Sequence, residues 1–243
     1  TAAAMAGSAL DLHLESLPAL RTATQSLPPL RPYLARALAA SGKADEAVTL
    51  LSEEREQAAR NPYLLRPLIT LLIHSQRLDD ALQHWYELAQ AGQADEGTTM
   101  PLAEALLEAG RYEGAIAPLR VLLAQRPRAK YLAYLGRALM EVGRISEASE
   151  MFERSLAIEP DDATSLRHWA AAEEALGNWQ QVVSALRRLV KLNPRDVDAW
   201  IKLGQVAVRL DQFDEASAAL EQACALDASN AETWQALADA LIQ

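Results

Sequence analysis

Apolar side chains recur along this chain with two superposed rhythms. The short rhythm is helical: Leu34 and Leu38, Leu68 and Leu72, Leu102 and Leu106, and Leu135 and Leu139 each stand four residues apart, on one face of an α-helix. The long rhythm is a repeat. Small or modest residues at Ala47, Ala81, Ala115, Ala148, Val182 and Ala216 follow one another at 34, 34, 33, 34 and 34 residues. A large apolar residue stands one helical turn beyond each, at Leu51, Trp85, Leu119, Phe152, Leu186 and Leu220. Twelve positions before each lies a second small or modest residue, Ala35, Ile69, Ala103, Gly136, Ala170 or Gly204, directly preceded by leucine or tryptophan. Two apolar stripes per period predict two helices per period. The first is closed by Gly42, Gly110, Gly143 or Gly177, and the second is followed by Pro127, Pro160 or Pro194.

These residues in this order resemble the tetratricopeptide repeat family. The unit Trp200, Leu203, Gly204, Phe213, Ala216, Leu220, Ala223 carries the family pattern, and so does Leu132, Leu135, Gly136, Leu139, Ile145, Ala148, Phe152, Pro160. The resemblance implies an all-α fold, a right-handed superhelical solenoid of helix-turn-helix hairpins. On this reading six repeats run over 28–61, 62–95, 96–128, 129–162, 163–196 and 197–230. A truncated first helix of a seventh follows at 231–243, and residues 1–27 form a divergent helical cap or partial repeat in which Leu10, Leu14, Leu17 and Leu20 keep roughly helical spacing. Pro32, Pro67 and Pro101 are expected in the first turn of their helices, where backbone N–H groups have no partner to lose. Pro118 falls about a turn inside a second helix and is expected to kink 114–118.

Composition narrows the function classes. A chain of 243 residues that is 50% hydrophobic can bury a core, which excludes a disordered segment. With 23 basic against 33 acidic side chains the formal net charge is −10, the wrong sign for a protein that grips phosphate backbones, so no nucleic-acid partner is expected. The single cysteine, Cys224, forms no internal disulfide and reads as a buried packing thiol. His13, His74, His84 and His168 never stand at the spacing that would offer two metal ligands on one helix face, and no phosphate-cradling glycine motif occurs. Neither a catalytic constellation nor a cofactor is expected. The acidic pairs Asp45-Glu46, Asp79-Asp80 and Asp214-Glu215 recur with the repeat and read as first-turn residues complementing a helix dipole. All five tryptophans, Trp85, Trp169, Trp179, Trp200 and Trp234, fall on motif core positions.

No apolar run approaches the roughly 18 residues of a membrane span, because Arg66 and Pro67 interrupt Leu64–Ile73. The chain reads as soluble, without membrane insertion, and its start at Thr1 without a signal peptide reads as a fragment or processed form. Only four basic residues are lysine, a bias toward arginine that fits a GC-rich bacterial genome. Bacterial cytoplasm and periplasm are equally consistent with a single reduced thiol.

The resemblance also implies that the first helices line a concave groove that holds peptides. The inner positions of those helices carry Arg36, Arg66, Lys130, Arg137, Arg167 and Lys202, against only Glu104 and Asp198, a more basic set than the composition alone would place there. Extending the stripe by two positions adds Arg209 but also Glu108, Glu141 and Glu174, and the contrast fades. Two readings stand side by side: a groove for an acidic peptide, and ordinary solvated charge. Tyr33, Tyr63 and Tyr134 are either amphipathic anchors beside the arginines or packing between repeats. The family's carboxylate clamp is not reproduced, since Arg66 with Thr70, Met100, and Lys130 with Tyr134 stand where its lysines and asparagines would. The expectation is a non-catalytic scaffold for a protein or peptide partner. Two other readings compete: the substrate-positioning region of a larger bacterial enzyme such as a glycosyltransferase or sulfotransferase, and a homo-oligomer built through the C-terminal helix with Trp234, Leu237 and Leu241.

Overall fold

The structure is a computed structural model describing residues 22, 33–35, 38, 43–57 and 62–242, with the backbone alone at 44, 52–57, 62–64 and 242. The expectations for Leu10, Leu14, Leu17 and Leu20, for Pro32, Arg36 and Gly42, and for the Tyr63 side chain lie outside the described residues. Among the described residues there is no strand. The helices are α1 (Ala44–Gln57), α2 (Pro62–His74), α3 (Leu78–Gln90), α4 (Glu96–Glu108), α5 (Tyr112–Gln125), α6 (Ala129–Glu141), α7 (Ile145–Ile158), α8 (Ala163–Leu176), α9 (Trp179–Leu192), α10 (Val197–Arg209), α11 (Phe213–Leu226) and α12 (Ala231–Ile242).

Two compact units divide the chain at Leu122 and Leu123. In the first, α1 packs on α2, α2 on α3 and α4, and α3 on α4. In the second, every helix from α6 to α12 packs on the next, and first helices also meet one another, α6 with α8 and α10 with α12.

Each of the five hairpins from α2 to α11 turns through one residue with a left-handed backbone. Gly110, Gly143 and Gly177 take this conformation at φ of 69°, 80° and 77°, as the sequence suggested, and the equivalent positions Gln76 and Asp211 take it without glycine at 58° and 57°. The next residue then donates its N–H to a carbonyl five residues back: Arg77 to Leu72, Arg111 to Leu106, Arg144 to Leu139, Asn178 to Glu173 and Gln212 to Ala207. This closes the helix end and aims the chain back along the first helix.

Inside the hairpin a missing side chain makes room for a large one. A Cβ at Gly136 would lie 2.8 Å from the Phe152 ring, and one at Gly204 would lie 2.5 Å from Leu220 Cγ. Phe152 and Leu220 are fully buried as a result, each burial contributing roughly 1.5–3 kcal/mol. The core of the second unit continues through Leu166, Val182, Leu186, Leu189 and Leu203, with Leu220, Cys224 and Leu237 forming its C-terminal part. Burial raises the Cys224 thiol pKa, consistent with a packing role. Buried polar groups are paired across elements: Trp85 Nε1 donates to Thr99 Oγ1 at 2.9 Å, Ser155 Oγ to the Ala129 carbonyl at 3.0 Å, and Ser149 Oγ and Asn178 Nδ2 both to the buried Glu173 carboxylate.

Two expectations are corrected. Pro67 and Pro101 lie in the second turns of α2 and α4, not the first, because those helices already begin at Pro62 and Glu96. The start of α4 is set by Asp95, whose carboxylate accepts the Thr98 N–H, so Pro101 sits beyond the free N–H groups and leaves one rung of the ladder open. Pro118 is buried inside α5, which runs from Tyr112 to Gln125. Trp234, expected at a core position, is 49% exposed. Its indole N–H is held by the Ala228 carbonyl, as that of Trp200 is held by Pro194, but Trp200 also packs against the core of the second unit.

Candidate functional site

Four first helices, α4, α8, α10 and α12, begin where an aspartate or asparagine side-chain oxygen accepts a backbone N–H: Asp95 from Thr98, Asp162 from Thr164 and Ser165, Asp196 from Ala199, Asn230 from Thr233. These caps fix where those helices start. Helix α6 follows Arg128 and has no side-chain cap.

Arg66, Arg167 and Lys202 each meet an acid within their own unit. Arg66 lies 3.1 Å from Asp95 Oδ2 through Nε and donates through Nη2 to the Gln93 carbonyl. Arg167 reaches the carboxylate of Asp196 through Nη2. Lys202 pairs with Glu174, and the Arg209 guanidinium lies 4.0 Å from the centre of the Trp179 ring. An arginine on one first helix therefore meets the capping aspartate of the next, a pairing that the sequence reading missed although both partners recur 29 residues apart.

Lys130, Tyr134 and Arg137 come together on α6. The Tyr134 ring has Lys130 Nζ at 5.3 Å and Arg137 Cζ at 5.7 Å from its centre. Such contacts with an aromatic face attract and orient a cation. Arg137 Nε is buried and has no hydrogen-bond partner. On α8, the His168 ring stacks on Phe152, with centres 5.5 Å apart and planes 14° from parallel. Burial lowers the His168 pKa and the Arg137 charge lowers it further, while Glu141 and Asp162 act in the opposite sense. Burial tends to raise Asp162, but hydrogen bonds from Ser165 and Thr164 outweigh it and hold that carboxyl below its usual value. Tyr33 is exposed at the surface of the first unit.

The tetratricopeptide repeat sequence pattern matches residues 33–53, 106–168, 163–206 and 197–240. The chain belongs to the tetratricopeptide repeat family. Among solved tetratricopeptide-like structures, the Naa15/Naa10 complex bound to HypK-THB superposes with a TM-score of 0.75 at 17% identity, over 99% of this chain and 39% of that one. YrrB, described as a TPR protein with an unusual peptide-binding site, gives 0.59 at 14% identity over 76% of this chain and 96% of its own. MamA gives 0.54 at 23% identity over 59% and 79%. At these identities the likeness is one of fold. The CTR9 homolog of Arabidopsis thaliana is 27% identical over 77 residues, and the chain spans 7% of that protein's length. No described helix is long and apolar enough to cross a membrane.

Proposed function

We propose that this chain is a non-catalytic interaction scaffold whose first helices take acidic peptide segments, with Arg36 and Arg66 supplying the charge and Tyr33 and Tyr63 the amphipathic anchors in the first unit, and Lys130, Arg137, Arg167 and Lys202 the charge and Tyr134 the anchor in the second. The observation that carries this reading is the α6 cluster, where two cations flank one tyrosine ring. Tyrosine supplies contact area at little conformational cost, and arginine and lysine supply charge-assisted hydrogen bonds. Membership in the tetratricopeptide family and likeness to a protein described as peptide-binding support it. Binding of the chain to an array of random ten-residue peptides tests it. The reading predicts retention of peptides enriched in Asp and Glu; no retention, or enrichment of Lys and Arg, contradicts it.

A second reading, self-association through α12, is favoured by Trp234 and Leu241, exposed at 49% and 63%. It predicts a mass that rises with concentration and falls back in Leu241→Asp, and a constant monomer mass excludes it.

A further inference from the structure

Basic residues of the inner positions differ in what already occupies them. Arg66 and Arg167 are held by capping aspartates, and Lys202 by Glu174. Arg137 differs in its ion pairing: among the described residues no carboxylate lies within ion-pair reach of its guanidinium, and its buried Nε, like that of Arg66, has no hydrogen-bond acceptor. A desolvated N–H of a charged group without an acceptor is costly, and such groups in folded proteins normally find a partner.

We propose that Arg137 is the anchor of the inner face, its guanidinium laid beside the Tyr134 ring to take a side-chain carboxylate of the bound peptide, with Lys130 as the second charge on that ring. The inference rests on the peptide-binding reading and narrows it to one residue. The tyrosine contacts orient the guanidinium, and its planar N–H groups match the two oxygens of a carboxylate. A partner's carboxylate at Arg66, Arg167 or Lys202 must displace an acid of this chain first, whereas at Arg137 it displaces none.

His168 reports on occupancy. Its ring lies on Phe152, and Phe152 fills the space left by Gly136, the residue before Arg137. The charges acting on it are Arg137 and Glu141 from α6 and Asp162 from the cap of its own helix, and α7 presents to it the uncharged Phe152 ring. A carboxylate on Arg137 offsets the charge that opposes His168 protonation, so occupancy raises the histidine pKa.

The test uses an array of random ten-residue peptides with amidated C-termini, so that any selected acid is a side chain, probed with the wild type, Arg137→Gln and, as a control outside the proposed binding set, Arg187→Gln on α9, whose partner is Glu215. Thermal melts establish that the variants fold. The inference predicts that wild type and Arg187→Gln select an Asp or Glu at one fixed position and that Arg137→Gln loses this selection, with affinity for the selected peptide falling ~10–100-fold. The selected peptide should also raise the His168 pKa followed by NMR in the wild type. If Arg137→Gln keeps the same acidic selection, or Arg187→Gln loses it as well, the selection does not depend on Arg137 and the inference is overturned while peptide binding stands. If the wild type retains no peptide, the peptide-binding reading itself fails and the anchor with it.

Discussion

Arg167 of one hairpin grips Asp196, the same carboxylate that accepts the Ala199 N–H at the start of the next first helix. One acid therefore both caps a helix and ties it to the preceding hairpin. The Asp196 side chain is 8% exposed and that of Arg167 50%, so the cap is sheltered and the ion pair is partly screened by solvent. The same relationship joins Arg66, Asp95 and the Thr98 N–H.

This division of labour separates two variants. Asp196→Asn keeps the capping oxygen and loses only the ion pair, which costs less than about 1 kcal/mol. Asp196→Ala loses both and costs about 1–2 kcal/mol. Urea unfolding of the pair checks this, and equal losses would rank the ion pair above the cap.

Gly136→Ala and Gly204→Ala should each destabilise. A methyl at Gly136 meets Phe152 at 2.8 Å, and at Gly204 it meets both Leu220 and, at 3.2 Å, the Ala216 carbonyl. Overpacking costs about 1–3 kcal/mol, against which the better helix propensity of alanine restores about 1 kcal/mol. Thermal melts should show lower midpoints for both. An unchanged midpoint would mean that the hairpins part to accept the methyl with little loss of packing.

At Gln76 the opposite substitution should help. Its φ of 58° is left-handed, and no glycine relieves it. Gln76→Gly removes a strain of about 1–2 kcal/mol and adds unfolded-chain entropy of about 0.5–1, for a net gain of about 0.5–1 kcal/mol. Asp211→Gly should gain less, because aspartate tolerates this conformation better than glutamine. Denaturant midpoints of the two variants give the order directly.

The hairpin pattern was readable because it depends on residue size at fixed spacing: a leucine stripe, a small residue, a large one a turn later. What depends on partners in the neighbouring hairpin was not. Arg66, Arg137 and Arg167 look alike along the chain, and only the placement of Asp95 and Asp196 separates the two paired residues from Arg137. Pro67 and Pro101 were placed a turn too early because the helix starts at Pro62 and Glu96 cannot be read from the apolar stripe alone. Gln76 and Asp211 hid two of the left-handed turns, since glycine is the usual signal for them. Trp234 occupies a motif position, but burial there requires neighbours on more sides than α10 and α11 supply.

His168 links stability to pH. Its folded pKa lies below the ordinary 6.5 of the free side chain because burial and Arg137 disfavour the charged ring. The unfolded chain therefore takes up the proton first as pH falls. This contribution to stability is fully present above the unfolded pKa, declines through the window between the unfolded and folded values, and is lost below the folded one. Melts of His168→Gln should show a shallower decline across that window. Arg137→Gln should move the histidine pKa upward in an NMR titration, and no movement would show that the two side chains are not electrostatically coupled.

The central claim, that the inner face around Arg137 receives the partner, is tested most directly by NMR shift mapping with the peptide that the array selects. The account predicts that the largest changes fall on Lys130, Tyr134 and Arg137 of α6 and on His168 of α8, and that the Arg137 Nε–H signal moves among them. Changes confined to Trp234 and Leu241 of α12, with α6 and α8 unmoved, would contradict it.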